Sequence, residues 1–433
     1  MNSPQEFYNQ QIHKYEKHLA TASGKLAFSS LLRLLIFLVI AYLVYYFFGN
    51  VSVLIPVILV GVGIFLFLVS RHTDLKYERD KFRQLIDINE NELRVLKRDF
   101  YHQPTGKGFE DPLHPFSQDV DLFGKASFFQ YMNRTALVEG KKKLAGLLLE
   151  NSIDSIEEKQ EAIKELAEKA DWRQNFSAIA VLVKTKTDSK VIMDWFRNYN
   201  HFVPRIMSWL PWMFSVLSVA AITAFFFDLI SGITLGIWFF VGLAITGIFL
   251  KKVNLLSTHV SEVQDTFHQY YQLLGLIEET DFHSKMLKNK KAAVHLNEQK
   301  VSEILHKFSR AIDSLDQRNN MIFGVLGNGF LLWDLRQSRK LEKWIAQYGN
   351  KVETWFEVIE FLDAYNSLGN FSFNHPTYVY PALHSDSHIM ETRALAHPLL
   401  DPEKRVANDF FIEKEQFFII TGANMAGKST FLR

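Results

Sequence analysis

A phosphate-binding loop is the clearest chemical feature of this sequence. The pattern G-x-x-x-x-G-K-[ST] is met by Gly422, Gly427, Lys428 and Ser429. Glycines at these places let the backbone curl so that successive N–H groups point at phosphate oxygens. The Lys428 ammonium would bind the β- and γ-phosphates of a nucleotide, and the Ser429 hydroxyl would be a ligand of Mg²⁺. The pattern therefore predicts ATP and Mg²⁺ as the cofactors of this loop.

The segments on either side of the loop suit a strand–loop–helix unit. Phe417 to Thr421 is almost wholly apolar and predicts a short buried strand. Ser429 to Arg433 predicts a helix whose positive N-terminal end would face the phosphates. β-forming residues also become frequent after Asn370: Phe371, Phe373, Tyr378, Val379 and Tyr380. We therefore expect the start of an α/β P-loop domain over residues 371–433.

Two long apolar zones lie upstream of this domain. Leu34–Ser70 has no Asp, Glu, Lys, Arg or His, and Ile206–Leu250 has Asp228 as its single charge. A membrane-spanning helix needs roughly 20 apolar residues, so each zone is long enough for two spans joined by a turn. A pair of buried core helices is the alternative, but such helices usually carry polar residues on one face. The predicted spans are about Phe28–Phe48, Val51–Val69, Met207–Phe227 and Leu229–Leu250.

Basic residues flank both zones, whereas the turns at Gly49-Asn50 and Asp228 carry none. The positive-inside rule therefore predicts a multi-pass protein of the cell (inner) membrane. Its N-terminus, middle segment and ATPase domain would lie in the cytoplasm. The flanking residues are Lys25, Arg33, Arg71, Lys76, Arg205, Lys251 and Lys252.

The rest of the chain is expected to be helical. With 433 residues it is too long for one ordinary domain, and its net charge of +1 does not by itself indicate a nucleic-acid ligand. The absence of cysteine excludes disulfides, cysteine-ligated zinc and thiol catalysis. Apolar stripes with helical spacing are interpreted as core packing. The predicted units are an N-terminal helix (1–27), a first membrane hairpin (28–70), a helical segment (71–206), a second hairpin (207–250), a second helical segment (251–370) and the P-loop domain (371–433).

The interior of the loop resembles that of the MutS family of mismatch-repair ATPases. That family typically has T-G-x-N-M-x-G-K-S-T, which Thr421 to Thr430 matches, with Ala423 where the family usually has proline. Transporter-type ABC ATPases instead usually have a serine-glycine interior. The nucleotide-binding residues that follow are Gly422, Ala423, Asn424, Met425, Ala426, Gly427, Lys428, Ser429 and Thr430.

The resemblance extends upstream of the loop. Ala396 to Leu400 is similar to the histidine-proline element of the family, and Val406 to Asp409 to its V-x-N-D stretch, which implies that Asn408 lies at the nucleotide. Arg405 stands where many members stack an aromatic ring on adenine. Parts of 118–200 and 300–433 resemble the helical core, lever and first ATPase strands of the family.

Two departures change what the resemblance implies. The N-terminal mismatch-reading and connector domains have no counterpart, and residues 207–250 insert a membrane hairpin into the helical core. The sequence thus resembles a mainly α, membrane-anchored MutS-like protein that is truncated just after its Walker A motif. This implies ATP binding coupled to DNA binding, in mismatch repair or a related process, and a homodimer through the ATPase domain. No catalytic residue lies within this chain, since the acidic strand motif of the family is lacking, so residues 1–433 are not expected to hydrolyse ATP.

Two other functions remain open: an ABC transporter-like ATPase, and an ATP-responsive membrane scaffold without DNA binding. No DNA-binding residue can be assigned. Basic clusters could contact DNA phosphates, but we favour solvated or lipid-facing helix surfaces. The clusters are Lys141-Lys142-Lys143 and Lys285, Lys288, Lys290 and Lys291. His375, His384 and His388 lack a metal-ligand spacing, and we do not predict a metal site there.

Overall fold

The computed structural model describes residues 3–182, 188–296, 299–383, 389–414, 416–423 and 427–432. Within these ranges the protein is mostly helical, with two small antiparallel sheets. The helices are α1 (Pro4–Tyr46), α2 (Val51–Leu96), α3 (Phe128–Met132), α4 (Val138–Leu149), α5 (Ile156–Glu168), α6 (Ala170–Leu182), α7 (Ser189–Arg197), α8 (Leu210–Phe226), α9 (Gly232–Glu278), α10 (Lys285–Ala293), α11 (Val301–Asp316), α12 (Met321–Leu331), α13 (Trp333–Tyr348), α14 (Val352–Asn374) and α15 (Lys428–Leu432). The strands are β1 (His295–Leu296), β2 (Gln299–Lys300), β3 (Ile389–Leu395) and β4 (Asn408–Glu413).

Helices α1 and α2 form a long antiparallel hairpin of 43 and 46 residues. A capping box between Ser3 and Glu6 begins α1, and a turn at residues 47–50 joins the helices. Gly49 has φ +96° in that turn, a conformation that favours glycine. The predicted turn at Gly49-Asn50 is thus observed. The two predicted spans, however, are parts of longer helices that continue into the polar sequence on both sides.

Helices α8 and α9 form the second apolar hairpin, with a turn at the predicted Asp228. Trp238 on α9 stacks on Phe214 at 4.5 Å and donates a hydrogen bond to Ser218 at 2.8 Å, which joins the helices. Helix α9 has 47 residues and extends far beyond the predicted span end at Leu250. Helix α8 has only 17 residues because residues 205–208 form a 3-10 turn before it.

Three of the described helices, α1, α2 and α9, are long and apolar enough to cross a membrane. No more than 11% of the residues in the most apolar window of each are buried against protein. Large apolar side chains such as Phe37, Phe67 and Phe240 are therefore exposed on them. This arrangement is compatible with membrane localisation, because lipid would cover surfaces that water would not tolerate.

The largest hydrophobic core of the protein is helical. It contains the polar half of α9 together with helices α5, α6, α7, α10, α11, α13 and α14. The α9 stripe predicted from the sequence is buried, including Val260, Phe267 and Leu274. Phe308 stacks on Trp344 with ring centroids 4.0 Å apart, and Phe267 packs edge-on to Phe308 at 4.7 Å. Core packing is thus the correct interpretation of this stripe.

The expected change to β structure after Asn370 is wrong for its first residues. Helix α14 continues to Asn374, so Phe371 and Phe373 are helical. Phe373 packs edge-on against Phe7 at 5.1 Å and Tyr8 at 5.8 Å, both on α1. These tertiary contacts outweigh the β propensity of single residues. The segment 378–380 forms no strand either.

Strands β3 and β4 form the one sheet near the phosphate loop among the described residues. Their register pairs Ile389 with Glu413 and Leu395 with Asn408. The predicted strand Phe417–Thr421 is not formed, and Phe417 and Ile419 are exposed. A strand is stable only when its backbone groups pair with a neighbour, and no described residue pairs with this segment.

Candidate functional site

A cleft of about 720 Å³ lies beside the described part of the predicted phosphate loop. It brings together three elements that are distant in sequence: the His397-Pro398 turn, the start of β4, and the loop with α15. Asn408, predicted to lie near the nucleotide, lines the cleft together with Lys428 and Thr430. Ser429 is exposed on the first turn of α15 and does not line the cleft. The elements singled out by the sequence therefore converge on one site.

The loop itself is partly described. Gly427 has φ +83°, the left-handed conformation that a glycine at this place permits. Lys428 begins α15, and its Nζ donates hydrogen bonds to the carbonyl oxygens of Gly422 at 2.6 Å and Ala423 at 2.7 Å. The ammonium is thus held against the first two residues of the predicted loop. Asn424, Met425 and Ala426, which carry the family resemblance, lie outside the described residues.

Arg405 forms one wall of the cleft. Its Nη1 donates a 2.6 Å hydrogen bond to the Tyr378 hydroxyl, and its guanidinium lies 5.4 Å from the centroid of that ring. Tyr378 in turn lies 4.5 Å from the ring of His375 at the end of α14. The residue at the adenine-stacking place of the family is therefore anchored to the soluble core through an aromatic cluster.

His375 does not belong to a metal site in the described structure. It is buried, its Nδ1 is 2.7 Å from the Phe371 carbonyl oxygen, and its Nε2 is 3.0 Å from the Tyr131 hydroxyl. Burial lowers its pKa, which favours the neutral ring. His384 and His388 lie outside the described residues. Among the residues that are described, no group of three or more His, Asp or Glu could hold a metal ion.

The basic clusters are engaged within the protein at several positions. Lys142 lies 2.9 Å from Glu139 and 2.8 Å from Asp188. Lys285 lies 2.8 Å from Glu158, and the ammonium of Lys290 stands over the Phe361 ring. Surface pairs of this kind contribute little to stability. They do reduce the positive charge available to a phosphate backbone, which fits the solvated-surface interpretation.

A buried polar cluster next to α14 had no signal in the sequence. The carboxylate of Glu92 on α2 accepts hydrogen bonds from Arg134 Nε and, at 2.8 Å, from Asn374 Nδ2. Tyr8 on α1 donates to Asn374 Oδ1 at 2.6 Å. Burial alone would raise the pKa of Glu92, but the charge of Arg134 and these hydrogen bonds outweigh it and lower the pKa. The cluster ties both helices of the first hairpin to the end of α14, close to the cleft.

A second buried carboxylate fixes the start of α4. Asp363 on α14 accepts hydrogen bonds from the backbone N–H groups of Ala136 at 3.0 Å and Leu137 at 2.9 Å. Burial raises the pKa of Asp363 to about 7, although the two hydrogen bonds act to lower it. Gly140 is required beside it, because a Cβ there would lie 2.0 Å from an Asp363 oxygen. Asp363 and Gly140 both belong to stretches whose sequence resembles the MutS core.

Curated proteins of the MutS type are similar to parts of this chain. The chain is 32% identical over 96 residues, 21% of its length, to the DNA mismatch repair protein MutS of Petrotoga mobilis. The identity is 29% over 126 residues (28% of the chain) for the protein of the same name from Staphylococcus epidermidis, and 43% over 63 residues (13% of the chain) for that from Phocaeicola vulgatus. The matched segments cover 11%, 14% and 7% of those proteins. No family model matches the chain.

These partial similarities support a relationship to MutS proteins, and they hint at a function connected with DNA. They agree with the resemblance drawn from the loop and the helical core.

Proposed function

We propose that this chain is part of a membrane-anchored, MutS-like ATPase that binds ATP with Mg²⁺ in the cleft beside α15. The observation that carries the proposal is the convergence of Asn408, the His397-Pro398 turn and Lys428 on that cleft. These are the elements that resemble the nucleotide site of the family. Gly422 to Thr430 would hold the phosphates, and Ser429 would provide an oxygen ligand to Mg²⁺.

The chemistry of the cleft fits nucleotide binding better than hydrolysis. Its described lining includes Lys404, Arg405 and Lys428 but no Asp or Glu. Cations stabilise bound phosphates, whereas orienting a water and completing the Mg²⁺ shell normally needs a carboxylate. We therefore propose that residues 1–433 alone bind ATP without turning it over. Steady-state hydrolysis above that of a Lys428→Ala preparation would contradict this.

Nucleotide binding can be tested by titrating the detergent-solubilised chain with a fluorescent ATP analogue and Mg²⁺. Lys428→Ala removes a charge-assisted contact worth about 1.5–3 kcal/mol, so affinity should fall by roughly 10- to 150-fold. Lys414→Ala is the matched control, because Lys414 is an exposed lysine that does not line the cleft. Equal affinity of the two variants would reject the site.

The second half of the proposal is that ATP binding is coupled to DNA binding. A MutS-like protein that binds duplex backbone would lose affinity steeply with added salt, since each phosphate contact releases a counterion. Binding of matched and mismatched duplexes at several salt concentrations tests this directly. The surface ion pairs of Lys142 and Lys285 reduce the charge available to DNA and so favour the alternative, an ATP-responsive membrane scaffold. Absence of duplex binding even at low salt would select that alternative.

Homodimerisation and membrane topology complete the proposal. Ser429 and Thr430 are exposed on α15, which leaves room for a second subunit to complete the nucleotide site. A rise in mass on adding ATP, measured in detergent, would support a dimer. Three helices compatible with a membrane and the basic flanks support a multi-pass inner-membrane protein with a cytoplasmic cleft. Protease protection in inside-out vesicles distinguishes that orientation from its opposite.

A further inference from the structure

A close glycine contact joins α12 to the apolar half of α9. A Cβ on Gly242 of α9 would lie 2.2 Å from the carbonyl oxygen of Gly329 on α12. A Cβ on Gly329 would lie 2.0 Å from the ring of Phe239. The two backbones therefore approach to a distance that only glycine permits. Contacts between small residues of this kind are typical of helices that pack inside membranes.

The contact fixes the level of α12 relative to the proposed membrane. From Gly242 towards its C-terminus, α9 faces α12 as far as Leu250, and the two helices line a shallow cavity there. Lys251 and Lys252 then mark the end of the apolar sequence. The eight residue steps from Gly242 to Leu250 correspond to about 12 Å along the helix. Helix α12 thus lies alongside the part of the span that is nearest to the cytoplasmic end.

The outer face of α12 is apolar and largely exposed in the described structure. Met321 is 82% exposed and Ile322 72% exposed, and Val325 and Leu326 are also exposed. No charged residue occurs between Arg318 and Asp334. Removing each such side chain from water is favourable. A water-exposed helix with this composition would therefore be costly.

The charged residues at the two ends of this segment, Arg318 and Asp334, form an ion pair with each other. Arg318 lies 3.0 Å from the buried Asp334 and donates to Asn254 on α9 at 2.6 Å. Trp333 donates to the carbonyl oxygen of Ser314 at 2.7 Å, so the chain returns to the place where it left α11. Helix α12 lies between these two contacts and contains only uncharged residues.

We propose that α12 is a re-entrant helix whose Met321–Leu326 face inserts into the acyl chains of the cytoplasmic leaflet. The inference rests on the proposed membrane anchoring of α9. With 11 residues, α12 is about 16 Å long and too short to cross a core of about 30 Å. Lipid is the occupant because the face continues the exposed apolar sides of α8 and α9, such as Val216 and Ile248.

The absence of cysteine in the chain makes a direct test practical. Single cysteines are introduced as Ile322→Cys on α12, Val241→Cys on α9 and Ala346→Cys on α13, and each is labelled with an environment-sensitive fluorophore. Ala346 is exposed on the surface of the helical core, so a label there should report an aqueous environment. The full chain is reconstituted in phosphatidylcholine–phosphatidylglycerol vesicles that contain nitroxide-labelled acyl chains. Labels at 322 and 241 should be quenched, and the label at 346 should not.

The controls separate this inference from the anchoring on which it rests. Quenching at 241 without quenching at 322 would overturn the insertion of α12 and leave the anchoring intact. If neither label is quenched, both the insertion of α12 and the membrane anchoring of α9 are overturned. An apolar emission spectrum at 322 without quenching by the lipid nitroxide would mean that protein covers α12, which also overturns the proposal. Adding Gly242→Leu should abolish quenching at 322 and preserve it at 241, since it disrupts only the contact between the helices.

Discussion

Replacing Arg134 with alanine is expected to destabilise the junction between α2 and α14 by about 3–5 kcal/mol. Glu92 is only 2% exposed, and Arg134 is the cation that compensates its charge. Removing that cation leaves the buried carboxylate with uncharged hydrogen-bond partners, such as the Asn374 amide at 2.8 Å. The cost is therefore that of an uncompensated buried charge rather than that of one lost hydrogen bond.

Removing both charges should cost less than removing the cation alone. The double variant Glu92→Gln/Arg134→Met removes both members of the ion pair and keeps nearly the same volume, while the buried Arg173 nearby is present in every variant. Exchanging a buried ion pair for neutral residues of similar size is often close to neutral in stability. We therefore expect a coupling energy of about 0.5–3 kcal/mol between the two positions in a double-mutant cycle.

Hydrogen exchange at the C-terminal ends of α2 and α14 measures this local stability in detergent. Arg197→Ala is the matched control, because the Arg197–Glu353 pair is exposed and should contribute only about 0–1 kcal/mol. Equal losses of protection for Arg134→Ala and Arg197→Ala would refute the reasoning. So would additive effects at positions 92 and 134.

The same junction has a defined pH dependence. The pKa of Glu92 is lowered in the folded protein, so the unfolded state binds the proton more readily. The stabilisation is present above the ordinary pKa of a glutamate and is lost as pH falls through the lowered value. Protection at the junction should therefore decline in acid, and Glu92→Gln should lack this decline.

Two further predictions concern neighbouring groups. Burial and then the nearby Glu139 raise the pKa of Glu360 to about 7, so the folded state binds its proton more tightly, and stability should fall as pH rises from about 4.5 to 7. Glu360→Gln should remove most of that fall, measured by chemical unfolding at pH 5 and 8; an unchanged pH profile would contradict this. Tyr8→Phe removes the 2.6 Å hydrogen bond to the last residue of α14 and should cost about 0.5–1.5 kcal/mol. Hydrogen exchange in α1 measures the effect of Tyr8→Phe. Unchanged protection of α1 would contradict that prediction.

The sequence predicted where the apolar helices lie better than where they end. The turns at Gly49-Asn50 and Asp228 are observed, because a break in an apolar run is a local signal. The ends at Val69 and Leu250 are not helix ends, since the charged residues that follow are themselves good helix formers and the backbone ladder continues. Helix α12 escaped notice because its 11 residues are too few to indicate a span.

The candidate site was predicted in part. Glycine and lysine spacing is a local pattern, and the cleft does bring Asn408 and Lys428 together. The strand expected at Phe417–Thr421 is missing because strand formation depends on a paired neighbour rather than on composition. The pairing of Glu92 with Arg134 could not be predicted, since two charged residues 42 positions apart carry no common pattern.

Helix α9 has a mechanical consequence through its continuity. From Lys251 to Leu274 it contains neither glycine nor proline, so it has no hinge where it would leave the lipid. With 47 residues it is a rod about 70 Å long, and its apolar and soluble halves share one axis. If α9 spans the membrane as proposed, any swing of the soluble core must change the tilt of the rod. Tilt is governed by hydrophobic mismatch, at fractions of a kcal/mol per Å. Bilayer thickness would then bias the conformation of the soluble half, and thinner membranes would favour its more inclined states.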